Sequence, residues 1–324
     1  MIFVWELALL CKEGAVLFLK LIPNFDSSRK LACSIGLESG FVSIVQAHRI
    51  LNAFNGYHVN QLIRYGHSLV SEFGNAPHCS LIVVDIDQSV RQTIAQKREG
   101  ATTGKNYKHG QNCLQWSVAF RQGEVIDQQL KEGYRHCIDD LEERYRTCKK
   151  ILGHIDILRV DGGYLSADNL NLLKDQLFCT KAGINLNCVK EGLKKTTGHY
   201  WKKVDEHTKI FDCGLMDIFP DVSQQFRLIL VKGQKQLKRR IPQNKREQVQ
   251  SHRSCCITYQ EIVLAILDSI EGNPIHVYEF YKQRLPYENY FRDSYWSFET
   301  NKLPSQQFRA NQSYLWLTTI VQNA

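Results

Sequence analysis

Apolar residues between Phe41 and Phe73 recur at the three- and four-residue spacing of amphipathic helices. One apolar group ends at Phe54, a second runs from Val59 to Ile63, and Gly56 separates the two. This pattern predicts two or three helices at the start of the patterned part of the chain.

The next apolar segment, SLIVVDID (residues 80–87), is continuous instead of periodic and closes with Asp85 and Asp87. A run of this length and β-branched content is typical of a strand buried on both faces. CLQWSVAF (113–120) and EVIDQQL (124–130) alternate as strands do, with a turn predicted at Gln122-Gly123. The three strands would form an antiparallel unit.

A long amphipathic helix is predicted from Tyr134 to Leu152. A strand from Ile155 to Val160 then ends at Asp161, and two glycines form a turn. Ser166 is a candidate N-cap for a following helix that carries leucines to position 177. The alternation of strands and helices indicates an α/β fold.

The second half of the chain is strand-rich from Ile184 to Val231 and continues in a basic segment, residues 232–246, predicted to be a loop broken by Pro242. The pattern predicts a helix again from Tyr259 to Ser269. Proline fits the first turn of a helix better than its interior, so the spacing predicts a short helix ending near Arg284 and a second starting at Pro286. Glu288 would then lie in a first turn, where the helix dipole favours its charge.

Composition describes a soluble globular protein of one large or two ordinary domains, with 324 residues, 43% hydrophobic and 23% charged. The formal charge of +8 is compatible with a polyanionic partner. The eleven cysteines are scattered without a CxxC pair, so reduced thiols in a cytoplasmic protein are expected, and no zinc site.

The apolar first twenty residues are interrupted at Glu6 and are too short an apolar run to span a bilayer. We predict no signal peptide and no membrane contact. The segment is either a buried element or a start imposed by a disrupted reading frame.

Three groups of acids are candidates for chemistry: Asp87 with Asp85, Asp161, and Glu288. Residues at i and i+2 of a strand share a face, so Asp85 and Asp87 could both point into one site. Ligands usually bind where the strands of an α/β sheet end, and clustered carboxylates repel one another unless cations lie between them. Oxygen ligands favour Mg²⁺ or Mn²⁺, and a pair of such ions suits phosphoryl transfer. Taken singly, each acid also fits an ordinary turn or a solvated surface.

Together these motifs resemble the insertion-sequence DDE transposases, whose catalytic core is ribonuclease-H-like. VVDID followed by Gln88-Ser89 resembles the first motif, and RVDGGYLSADNL (159–170) resembles the second. Tyr281, Arg284 and Glu288 match the Tyr-x-x-Arg-x-x-x-Glu signature, and FRANQSYLWLTTIV (308–321) resembles the helix after it. One position departs from the signature: Tyr295 stands where the family has lysine, seven residues after the glutamate.

The resemblance implies a mixed sheet with flanking helices, interrupted by a β-rich insertion before the catalytic Glu. The implied division is a helical region at 1–75, the first part of the core at 76–183, a basic β-rich insertion at 184–250, and a helical end of the core at 251–324. Asp87, Asp161 and Glu288 would be catalytic and hold two Mg²⁺ or Mn²⁺ ions, with Asp85 either a supporting carboxylate or the true first ligand. The residues implied to contact DNA are Tyr281, Arg284, Arg292, Lys194, Lys195, Trp201, Lys202, Lys238, Arg239 and Arg240.

The function implied by the resemblance is cleavage of the terminal inverted repeats of a bacterial mobile element and transfer of their 3′-OH strands to target DNA. A homodimer on DNA is implied because two ends must be joined. Two alternatives stay open: a ribonuclease-H-like nuclease without strand transfer, and a truncated or catalytically decayed remnant that only binds DNA.

Overall fold

The computed structural model describes residues 44–74, 81–93, 97–103, 112–237, 258–298, 300 and 303–323. The chain divides into two compact units. Unit 1 comprises the chain up to Arg159 together with the segment from Gln283 onward, and unit 2 comprises Val160–Lys282.

In its described residues, unit 1 contains six helical elements, one of them a 3-10 turn, and five strands. Its helical elements are α1 (Ile44–Ala53), α2 (Gly56–Phe73), a 3-10 turn (Cys137–Asp140), α3 (Leu141–Leu152), α7 (Leu285–Phe298) and α8 (Phe308–Asn323). Its strands are β1 (Val83–Gln92), β2 (Thr102–Thr103), β3 (Asn112–Arg121), β4 (Glu124–Glu132) and β5 (Ile157–Val160, with the unit boundary after Arg159).

Strand β1 is central in unit 1 because it lies between β3 and β5. It pairs antiparallel with β3 from Val84, opposite Arg121, to Gln92, opposite Cys113. The turn to β4 adopts positive φ at Gln122 (50°) and Gly123 (97°), which is the backbone that a tight hairpin requires. This hairpin confirms the predicted three-stranded antiparallel unit.

Helices α2 and α8 approach closely on one side of this sheet. A Cβ at Gly66 would lie 2.5 Å from the ring of Trp316, so only glycine allows this contact. The core cluster there joins Trp116 and Phe120 of β3 with Tyr287 and Phe291 of α7. Burial of these large aromatic side chains fixes α7 against the strands.

In its described residues, unit 2 contains strands in the order β6-β10-β9-β8-β7 and three helices. Its strands are β6 (Leu177–Ala182), β7 (Lys202–Lys203), β8 (Lys209–Met216), β9 (Phe226–Leu237) and β10 (Thr258–Asp268). Its helices are α4 (Ala167–Leu172), α5 (Asn187–Lys195) and α6 (Pro274–Lys282), and a 3-10 turn spans Gly162–Tyr164. A cluster that includes Ile229, Ile266 and Val277 forms its core.

The structure corrects five predicted elements. The strand predicted to end at Asp87 continues to Gln92, so Asp85 and Asp87 lie within β1 and not at its end. Residues 259–268 form strand β10 and not a helix. A continuous apolar run fits a buried helix as well as a buried strand, and here eleven consecutive residues pair with β9. The helix predicted to reach Leu177 ends at Leu172, and Leu177 begins β6. The helix predicted from Tyr134 starts at Leu141, after the 3-10 turn. Residues 232–237, predicted to begin a basic loop, instead continue strand β9. Residues 238–257 lie outside the described part of the chain.

The predicted α/β class, with strands flanked by helices, is confirmed. The break between two helices near Arg284 is confirmed as well, since α6 ends at Lys282 and α7 begins at Leu285. In the ranges that the structure describes, no helix is long and apolar enough to cross a bilayer. The cysteines described there are free thiols.

Candidate catalytic site

The face of β1 that carries Asp85 contains a buried ion pair. Arg159 of the neighbouring strand β5 donates two hydrogen bonds to the Asp85 carboxylate, at 2.9 Å from Nε and 2.7 Å from Nη2. Both side chains are almost completely buried. Desolvation raises the pKa of Asp85, and the hydrogen bonds and charge of Arg159 oppose that rise.

Asp87 lies two residues further along β1 and has a different environment. Its Oδ1 is 3.1 Å from Nη2 of Arg284 and accepts a hydrogen bond from the backbone N–H of Gln88 at 2.8 Å. The same Arg284 nitrogen donates to the carbonyl of Ile86 at 3.4 Å. Asp87 is 18% exposed and so more accessible than Asp85, which makes it the better placed of the two acids to meet a ligand.

Glu288 lies in the first turn of α7, as predicted, four residues after Arg284. Arg284 itself lies in the turn just before the helix begins at Leu285. The side chain of Glu288 lies outside the described part of the structure. Arg284 contacts β1 beside Asp87, and the helix that carries Glu288 begins one residue later.

Tyr295 occupies the position where the resemblance implies lysine. Its hydroxyl lies 2.9 Å from that of Ser89 on β1, and either group can donate the hydrogen bond. The guanidinium of Arg91 lies 4.2 Å from the Tyr295 ring centroid and 4.2 Å from that of Trp116, so it is held between the two rings. Arg91 is buried, with 2% exposure. A buried cation from β1 thus lies against the ring that replaces the lysine.

Asp161 belongs to unit 2, where it follows β5 and starts the 3-10 turn. Its carbonyl accepts hydrogen bonds from the N–H of Tyr164 at 3.0 Å and from the hydroxyl of Thr180 at 3.3 Å. A Cβ at Gly162 would lie 2.7 Å from the carbonyl oxygen of Lys181, so glycine is needed where the turn meets β6. Ser166 caps α4 by accepting from the N–H of Asn169, which confirms the predicted N-cap.

The residues with an implied role in DNA binding are spread over both units. In unit 2, Lys194 and Lys202 are exposed, and the ammonium of Lys195 lies 3.1 Å from the sulfur of Met216. Tyr281 packs against the core cluster of unit 2. In unit 1, Arg292 is exposed on α7. Lys238, Arg239 and Arg240 lie outside the described residues.

Three lysines are directly opposite one another on adjacent strands of unit 2. Lys203 of β7 pairs with Lys209 of β8, which pairs with Lys232 of β9. Directly opposed residues share a face, and like charges in such positions repel. The ammonium of Lys232 also lies 5.9 Å from the ring centroid of Trp201. This lysine row, defined as Lys203, Lys209 and Lys232, concentrates positive charge beside an aromatic ring.

Metal binding would rest on the predicted acids. Within the ranges that the structure describes, no group of three or more His, Cys, Asp or Glu side chains is arranged to hold a metal ion. The carboxylate of Asp87 is nonetheless the oxygen donor type that Mg²⁺ and Mn²⁺ prefer, and its partial exposure suits a metal ligand. The Asp87 carboxylate is therefore chemically suited to bind the implied Mg²⁺ or Mn²⁺ ions.

The sequence motifs contain Ser89 and Arg159 but indicate no contact for either, and Arg91 lies outside the motifs. A signal was present for Arg159: it interrupts the buried strand ILRV, and a buried arginine needs a partner. No comparable sequence signal marks the contact between Ser89 and Tyr295, because those residues are far apart in the chain and meet only through packing.

The family model described as "Transposase DDE domain" matches residues 79–324. A solved structure described as the piggyBac transposase synaptic complex with hairpin DNA is similar with a TM-score of 0.46 and 12% identity; the match covers 86% of this chain and 50% of that one. The chain thus spans about half the length of that protein. No curated protein matches the sequence. Because the family model covers most of the chain and includes Asp87, Asp161 and Glu288, the chain belongs to the DDE transposase domain family.

Proposed function

We propose that this protein cuts DNA at the ends of a mobile element and transfers the freed 3′-OH strands to target DNA. Membership of the DDE transposase family supports this reaction class. The structural observation that carries the proposal is the contact between Asp87 and Arg284, at 3.1 Å. It brings the more accessible acid of β1 to the start of the helix that contains Glu288.

In this proposal Asp87, Asp161 and Glu288 are the catalytic carboxylates and the ligands of two divalent ions, Mg²⁺ or Mn²⁺. Ions bound there would neutralise the carboxylates and stabilise charge that develops on the attacking and leaving oxygens of a phosphodiester. Asp85 is assigned a supporting role, since Arg159 occupies both of its oxygens.

Arg284 has two roles in the proposed site. Its guanidinium orients Asp87 and, through the carbonyl of Ile86, holds the entry to α7 against β1. Arginine presents several donors in one plane, so the same group can contact a DNA phosphate while it stays near the carboxylate. Tyr281 and Arg292 are proposed as further DNA contacts.

We assign DNA binding in unit 2 to the lysine row together with Lys194, Lys195, Trp201 and Lys202. The mutual repulsion of Lys203, Lys209 and Lys232 would be relieved by the phosphates of a DNA strand. Trp201 offers a ring for stacking on a base beside that charge. The basic residues 238–240 would extend this surface, and residues 184–250 are proposed to form the insertion.

The substrates proposed are the terminal inverted repeats of the element and its target DNA, with a homodimer holding two ends. The motifs favour a bacterial insertion sequence, and hence action in the cytoplasm. The test uses the purified chain, Mg²⁺, a labelled element end and a plasmid target. Cleavage and joining support the proposal. Cleavage without joining of a pre-cut 3′-OH end indicates a nuclease, and salt-sensitive binding with neither reaction indicates a DNA-binding remnant.

A further inference from the structure

The part of β1 beyond Asp87 makes a second set of contacts with α7, and the proposed reaction as described does not use it. Ser89, Arg91 and Tyr295 form this set, named here the β1–α7 clamp. The hydroxyls of Ser89 and Tyr295 lie 2.9 Å apart, and Nη1 of Arg91 donates to the Ser89 oxygen at 3.3 Å. All three side chains belong to unit 1.

We propose that the β1–α7 clamp is a positioning device that fixes the helix of Glu288 relative to Asp87, with Tyr295 as its central residue. This inference rests on the proposed function, because it assigns the clamp a role in assembling the metal-binding acids. It goes beyond that function by naming residues that would set metal affinity without touching the metal.

The geometry of the strand supports this role. Successive side chains of a strand point to opposite faces, so residues 85, 87, 89 and 91 share one face of β1. Asp87 on this face contacts Arg284 just before α7, whereas Ser89 and Arg91 contact Tyr295 within α7. The strand and the helix are therefore joined at two points on either side of position 288.

The periodicity of the helix leads to the same result. Position 288 is seven residues, close to two turns, from Tyr295, so the two positions share a face of α7. Contacts with β1 at Arg284, just before the helix, and at Tyr295, within it, restrain rotation and sliding of α7 along its axis. The clamp therefore limits where position 288 can lie relative to β1.

Arg91 makes the clamp specific to an aromatic ring. Its guanidinium lies between Trp116 and Tyr295, at 4.2 Å from each ring centroid, and is 5.6 Å from that of Phe291. Stacking of this kind holds a buried cation in place. The ring positions the cation, and the hydroxyl of the same tyrosine binds Ser89.

A different hydrogen bond on α7 provides a matched control. The hydroxyl of Tyr290 lies 3.0 Å from that of Thr319 on α8, so its hydrogen bond joins α7 to another helix and not to β1. Tyr290→Phe and Tyr295→Phe each delete one phenolic oxygen from the same helix. Only the second deletion breaks a contact with the strand of Asp87.

The experiment compares Tyr295→Phe, Ser89→Ala, the double variant and Tyr290→Phe in the full chain. Mn²⁺ binding is followed by electron paramagnetic resonance and by the shift of Tm, and cleavage of an element end is followed against Mg²⁺. We expect Tyr295→Phe and Ser89→Ala each to raise the metal concentration at half saturation roughly two- to ten-fold, the factor that one hydrogen bond supplies. The double variant should show no further rise, and Tyr290→Phe should leave the metal midpoint unchanged.

The inference would be overturned if Tyr295→Phe and Ser89→Ala left the metal concentration at half saturation unchanged. It would also be overturned if their effects added in the double variant, or if Tyr290→Phe shifted that concentration equally. Failure of the proposed function looks different: the unmodified chain would show neither Mn²⁺ binding nor cleavage. Hydrogen exchange would then decide on the clamp, which predicts faster exchange of the hydrogen-bonded α7 amides from position 289 to 295 in Tyr295→Phe than in Tyr290→Phe. Equal exchange would reject it.

Discussion

Asp85 accepts two hydrogen bonds from Arg159 on the neighbouring strand, at 2.9 and 2.7 Å. This pair separates the roles of two aspartates that lie only two residues apart on β1. The first is buried with its own cation, and the second is partly exposed beside Arg284. The sequence alone left open which of them is the first metal ligand.

Asp85→Asn is expected to reduce mainly stability, whereas Asp87→Asn is expected to abolish mainly cleavage. Asp85→Asn leaves Arg159 buried without a compensating charge, so the free energy of unfolding should fall by about 3–5 kcal/mol. Asp87→Asn breaks a partly exposed pair and should cost about 1 kcal/mol or less, yet abolish Mg²⁺-dependent cleavage. Thermal melting and cleavage of the two proteins, side by side, check this. A stable, inactive Asp85→Asn would assign the ligand to Asp85 instead.

Tyr295→Lys, which restores the lysine of the family signature, should destabilise this protein. The new ammonium would replace a ring that lies 4.2 Å from the guanidinium of Arg91, which removes a cation–π contact worth about 2 kcal/mol and adds a repulsion. Tyr134→Lys is the control, because Tyr134 is exposed and lies 5.4 Å from Arg135. Chemical denaturation should show a large loss for the first variant and a small one for the second. Equal losses would contradict the structural account of Arg91.

Lys209→Gln should weaken DNA binding while it stabilises the free protein. Lys209 has a lysine opposite it on each neighbouring strand, so removal of its charge should relieve up to about 1 kcal/mol of repulsion. The slope of log K against log salt should fall by about 0.9, as expected for one lost phosphate contact. Lys174→Gln, at an exposed position away from the row, should change neither quantity. An unchanged salt slope for Lys209→Gln would remove the row from the DNA surface.

Asp268 should make stability depend on pH. Burial raises its pKa to about 7 despite a hydrogen bond from the N–H of Ile270 and the charge of Arg227. Because the native state then holds a proton that the unfolded state releases near its ordinary pKa of about 4, stability should fall as pH rises from about 4 to 7. Asp268→Asn should abolish that fall and raise Tm at pH 8, by an amount equivalent to about 2–4 kcal/mol. Asp175→Asn, at an exposed position, should behave as the unmodified chain does; a pH profile unaffected by Asp268→Asn would refute the prediction.

Much of the architecture near the site could be predicted from the sequence, because local signals agreed with the packing. The hairpin at Gln122-Gly123, the cap at Ser166 and the helix break before Pro286 each combine a hydrophobic pattern with a turn or cap residue. The apolar run before Asp87 predicted the first strand but not its end, because the polar residues from 88 to 92 continue the pairing with β3. Strand β10 was assigned wrongly since a continuous apolar run fits a buried helix or a buried strand, and only pairing with β9 distinguishes them.

Candidate acids could be named from motifs, but their environments could not. The pairing of Asp85 with Arg159 and the contact of Ser89 with Tyr295 join residues 74 and 206 positions apart. Such contacts depend on the arrangement of strands and helices, which periodicity does not specify. The distinction between Asp85 and Asp87 is for that reason a result of the structure.

The most direct test of the central claim is Mg²⁺-dependent cleavage of element-end DNA by Asp161→Asn. The matched control is Asp168→Asn, an exposed aspartate seven residues further on, in the first turn of α4. We expect Asp161→Asn to fold and bind DNA as the unmodified chain does while cleavage is lost, and Asp168→Asn to remain active. Undiminished cleavage by Asp161→Asn would contradict the assignment of Asp87, Asp161 and Glu288 as the catalytic acids.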